Sequence, residues 1–96
     1  MLKAVHMFVV PDFDSKKHRA KFESPTISMT IVGVKDFDEG ADIAKSLVEE
    51  GIQLIELCGA WGAVGCTKII QAVGDKVAVG HVVYGAEQAP QLAPLV

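Results

Sequence analysis

The stretch Gly51-Ile-Gln-Leu-Ile-Glu-Leu-Cys-Gly-Ala-Trp-Gly62 decides the reading of this chain. It begins with a helix-ending glycine and continues as an apolar strand, Ile52 to Cys58, carrying one carboxylate, Glu56. The strand opens into a glycine-rich loop, and a helix starts just beyond. In α/β proteins, ligands sit at such junctions, outside the carboxyl ends of the strands. A glutamate in an apolar strand must be hydrated, paired or protonated.

Working outward, the other elements follow from local pattern. Lys3 to Val10 is strand-like and Pro11 stops it. Asp14 or Ser15 caps a short helix over 15–23, which Pro25 ends. Thr26 to Val34 is a strand rich in β-branched residues. Asp36 or Asp38 caps a helix over 38–50, in which Ile43, Ala44, Leu47 and Val48 recur at helical spacing. Gly51 terminates it. A third helix spans Ala63 to Val73, and Val77 to Tyr84 is the fourth strand. Residues 85–96, with two prolines, read as an extended tail.

The order β-α-β-α-β-α-β over a single domain, 1–96, predicts an α/β fold with four mostly parallel strands. Such sheets are normally covered on both faces. Either the helices divide between the faces, flavodoxin-like, or a second subunit covers the bare face of a half-barrel-like sheet.

Composition supports self-association. The 96 residues are 50% hydrophobic, with a mean hydropathy of +0.33. A domain this short hides only about 60–65% of its unfolded surface. A homo-oligomer is therefore expected, against an ordinary monomer with exposed apolar surface. Net charge is −3. Lys16, Lys17, Arg19 and Lys21 read as one solvated helix face, with no basic stripe or stacking aromatics for nucleic acid. The apolar start is too short to span a membrane. Cys58 and Cys66 form no disulfide or metal-binding spacing, so a cytoplasmic location is expected and no cofactor or metal is assigned.

Strand alternation places Glu56 with Cys58, His81 with Val79, His6 with Phe8, and Thr30 with Val32. His6, Thr30, Glu56 and His81 are expected to converge on one sheet face. A carboxylate beside imidazoles suits proton transfer near neutral pH, which makes Glu56, His6 and His81 the candidate catalytic residues. The bland alternative is a buried, satisfied polar network. Thr30, Cys58, Gly59, Trp61, Gly62 and Gly65 are the candidate ligand-binding residues. The glycines let backbone N–H groups approach an anion at a helix start, and Trp61 walls a pocket or enters a subunit contact. The alternative for the loop is a tight strand-to-helix turn. Helix starts also lower thiol pKa, so Cys58 and Cys66 are either reactive or simply small buried groups.

Two resemblances rest on these residues. The Asp14-to-Ala20 stretch, Val32-Gly-Val-Lys-Asp36, Glu49-Glu-Gly-Ile52 and Ile55-Glu-Leu-Cys-Gly59 resemble an uncharacterised family of roughly hundred-residue microbial α/β proteins. That likeness implies the fold and no activity. Residues 32–58 also resemble the early β/α units of the 2-keto-3-deoxy-6-phosphogluconate aldolase type of barrel. Glu56 matches that family's proton-handling Glu, and Cys58 stands where it has Thr. Such aldolases use a Schiff-base lysine on a later strand, and no lysine here sits comparably. The likeness thus implies a half-barrel with an inward Glu and not imine chemistry.

Three functions follow: binding of a small anionic metabolite at the 58–65 loop; a metal-independent lyase or isomerase using Glu56 and a His; or a structural protein whose polar sheet face is sealed in a dimer interface.

Overall fold

A computed structural model describes all 96 residues. Five strands form one mixed sheet: β1 (Leu2–Val9), β2 (Arg19–Glu23), β3 (Ile27–Val34), β4 (Leu54–Leu57) and β5 (Ala78–His81). Their order is β2-β3-β1-β4-β5, with only β2 antiparallel. The helices are α1 (Phe37–Glu49), α2 (Gly62–Val73) and the single turn α3 (Ala89–Leu92).

The expected first helix is instead the edge strand β2. Asp14 starts a single turn, accepting at its side chain from the Lys16 N–H (2.9 Å) and at its carbonyl from the His18 N–H (2.7 Å). From Arg19 the chain alternates with period two. Arg19, Lys21 and Glu23 pair in register with Val32, Thr30 and Ser28; Ala20 and Phe22 pair with Ile31 and Met29. The hairpin to β3 turns at Ser24-Pro25-Thr26, where the Ser24 N–H donates to the Ile27 carbonyl and Ser24 Oγ accepts from the Ile27 N–H.

α1 starts and stops as its sequence dictates. The Asp36 carboxylate accepts from the Glu39 N–H at 2.8 Å, and Glu39 reaches back to the Lys35 N–H, a close variant of the capping box. At the far end, Gly51 has φ +100°. The Ile52 N–H bonds to the Leu47 carbonyl and the Gly51 N–H to that of Val48, which is a Schellman cap.

Both long helices lie on one face. Val5, Met7, Val32, Val34, Ile55 and Leu57 from the strands pack with Ala44, Leu47, Trp61 and Ile69. β3, α1 and β4 form a crossover over β1, and β4, α2 and β5 repeat it. The parallel strands run β3-β1-β4-β5, the strand sequence of a flavodoxin-like sheet and not of a half-barrel, where neighbours in the chain are neighbours in the sheet. Yet the helices do not divide between faces. The link from β1 to β3, which would carry a helix across the second face, runs in the plane of the sheet as β2. That face carries no helix and is left bare except at one end, where Phe13 from the turn after β1 lies against Gly33.

The tail is not extended. Ala86–Gln88, α3 and Ala93–Leu95 form successive helical turns. Pro90 and Pro94 occupy first-turn positions, where no N–H is needed.

Candidate functional site

Strand register separates the four polar residues expected to converge. His6 pairs with Glu56 across β1 and β4, so both stand on the bare face. Thr30 pairs with Val5, and His81 with Leu57, which places them on the side the helices cover. Thr30 is buried and borders a small polar hollow with Lys3, Lys21, Ser28 and Glu50. The alternation within each strand is as expected; the pairing between strands divides the set.

Glu56 is exposed and takes part in neither ion pair of the molecule, Lys21–Glu23 and Lys68–Asp38. No hydrogen bond joins it to His6 or His81. The His6 ring instead rests 4.7 Å, centroid to centroid, from that of Phe8. A general base and acid in direct contact are therefore not assembled within one chain.

Trp61 belongs to the core. It is 1% exposed, stacks on Phe37 at 5.0 Å, and donates its indole N–H to the Met7 carbonyl at 3.0 Å. Gly65 serves this packing, since a Cβ there would lie 2.9 Å from Phe37 and 3.0 Å from Trp61. Cys66 is buried in the same core. These three residues border none of the five main cavities.

The remaining loop residues do. A cleft of about 480 Å³ opens beyond the carboxyl ends of β4 and β5. Cys58, Gly59, Ala60 and Gly62 form one wall, His81 to Tyr84 the other, and Leu92 and Val96 of the tail border it. Its size lies in the range of small-molecule sites. Of the residues expected at a site, Cys58, Gly59, Gly62 and His81 line this cleft; Ala60, Val82, Val83, Tyr84 and the tail carried no such expectation. Their signal was available: an apolar run continuing past a strand's carboxyl end, followed by Gly85, marks a loop beside the crevice and not more strand.

The electrostatics of the first wall come from the backbone. The N–H groups of Gly59 and Ala60 meet no side-chain acceptor and no loop or turn carbonyl, whereas the Trp61 N–H is taken by the Cys58 carbonyl. They lead into α2, which has no side-chain cap and no acidic residue in its first turn. The partial positive charge of that helix start is uncompensated. None of the lining side chains is acidic. Gly62 makes the junction, with φ +59°, which side-chain-bearing residues rarely adopt.

A one-faced, mixed five-stranded sheet with a cleft at its parallel strand ends defines a small single-domain α/β protein. The chain belongs to a family of unknown function (DUF6506), matched over residues 2–96. No curated protein and no solved structure matches it, so the likeness to aldolase barrels gains no support. No helix is long and apolar enough to cross a membrane.

Proposed function

We propose that this protein binds a small, largely apolar molecule bearing one anionic group in the cleft beyond β4 and β5. The observation that carries this reading is the pair of N–H groups at Gly59 and Ala60, met by no side chain and no loop or turn carbonyl, at the mouth of a helix, in an apolar cleft of about 480 Å³. Backbone donors at a helix start are suited to a carboxylate or phosphate. Val82, Val83, Tyr84 and Leu92 take the apolar body, and the His81 imidazole supplies a further polar contact. The free thiols of Cys58 and Cys66 suit a reducing compartment such as the cytoplasm.

The test is an amide NMR titration with phenylacetate, set against phenethylamine as a cation of similar shape. Phenylacetate is expected to shift the Gly59, Ala60 and Tyr84 amides saturably, and the amine is not. A Gly59→Val substitution projects a Cβ to 3.5 Å from Tyr84 and 3.6 Å from the Val82 carbonyl oxygen, puts two further methyls beside them, and should abolish the shifts. Equal response to both probes, or shifts that survive Gly59→Val, would refute the reading.

A further inference from the structure

We infer that the bare face of the sheet is the interface of a homodimer, occupied by a second copy of this chain. The register defines its surface: Leu2, His6 and Phe8 on β1, Met29 and Ile31 on β3, Phe22 on β2, Leu54 and Glu56 on β4. Phe8 is 40% and Phe22 63% exposed in the single chain. A mostly parallel sheet is normally covered on both faces, and a contiguous apolar surface of this extent marks an association site.

Area and charge favour a second copy as the occupant. Five strands at their ordinary spacing project roughly 500 Å² per chain. With side-chain relief, two copies bury about 1,200 Å² or more, the lower end of stable interfaces. The strand positions facing this side carry two titratable groups, His6 and Glu56, adjacent on the middle strands β1 and β4. Arg19, Lys21 and Glu23 stand on the opposite side of β2; at one end of the face, Phe13 and the His18 ring beside it line a hollow with Phe8 and Ile31, which Arg19 also borders. A twofold axis between the two sheets, along the strands and between β1 and β4, sets each His6 over the other copy's Glu56. The face is then complementary to itself, as an isologous interface requires. The chain's own tail is engaged elsewhere, with Leu92 and Val96 at the cleft.

The test is sedimentation equilibrium of the full chain at micromolar concentration and neutral pH. The wild type should be a dimer. Phe8→Lys and Glu56→Lys should each weaken it at least about tenfold, since each places an unmatched charge in the interface. Val64→Lys, on the outer side of α2 where Val64 is 79% exposed, should leave it unchanged. If circular dichroism shows Phe8→Lys unfolded, Glu56→Lys decides alone, because Glu56 is solvated in the single chain. A monomeric wild type overturns the inference. So does a dimer indifferent to the folded face variants, which would put the contact elsewhere, for instance at the open edge of β5.

Discussion

The indole N–H of Trp61 donates to the main-chain carbonyl of Met7 at 3.0 Å, both residues being buried. The same carbonyl accepts from the Cys58 N–H at 3.2 Å. Central strand β1 therefore holds the loop after β4 at two points. One wall of the cleft is thereby built on the central strand of the sheet, which gives a loop site the rigidity of the core.

Trp61→Phe should test that anchoring. It removes the side-chain donor and part of the ring volume while keeping an aromatic on Phe37. The expected loss is about 2 kcal/mol in urea unfolding, from a missing buried hydrogen bond and a small cavity. A loss of only a few tenths would mean that the indole contributes little to the loop's position.

Gly40→Ala gives a test with opposing terms. In a helix interior, Ala is favoured over Gly by about 1 kcal/mol. Here the new Cβ would overlap Cη2 of Trp61, and the indole cannot retreat without losing its hydrogen bond to Met7. Overpacking costs about 1–3 kcal/mol, so net destabilisation is expected. A rise in melting temperature would show that α1 slides to make room.

Gly62→Ala isolates backbone strain. An added Cβ would meet nothing within 4 Å, and the φ of +59° alone opposes it. The expected cost is about 1–2 kcal/mol in chemical denaturation, with no change in core packing. A neutral result would mean that the junction relaxes to another conformation.

The Asp38–Lys68 pair joins the start of α1 to α2. The Lys68 side-chain hydrogen bond, reinforced by its charge, holds the Asp38 carboxyl below its ordinary value of 3.8. A depressed carboxylate contributes stability above its unfolded pKa and loses it as pH falls through the folded one. NMR titration should find Asp38 below 3.8 in the wild type and back near 3.8 in Lys68→Met. The small stability gap between the two proteins should close on acidification below the folded pKa. Both side chains are well exposed, so high salt should narrow it too. An Asp38 titration unmoved by Lys68→Met would contradict the pairing.

Legibility followed the range of the forces. The Schellman cap at Gly51 and the Asp36 cap of α1 are made by groups a few residues apart, and such local signals can be read directly. The alternation of Arg19 to Glu23 is equally local, but Arg19 and Lys21 also continue the basic run from Lys16, which fits a solvated helix face as well as it fits one side of a strand. The candidate site was legible as a place, the carboxyl end of β4, through Cys58, Gly59 and Gly62. It was not legible as a set. Trp61 in a glycine-rich loop carries no local mark of whether it faces a ligand or the core. That was decided by Met7, 54 residues away.

By itself the sequence determined the periodicities, the caps and which residues share a face within each strand, because these depend on backbone geometry and near neighbours. It also determined an excess of apolar surface. Only the tertiary structure decided that β1 lies between β3 and β4, that β2 leaves one face bare, and that His6 meets Glu56 while Thr30 and His81 lie on the opposite side. Strand pairing is a contact between distant segments. A shift of one residue reverses every side chain, so alternation alone leaves the choice open until packing against α1 and α2 selects the register that buries Val5, Met7, Ile55 and Leu57 together.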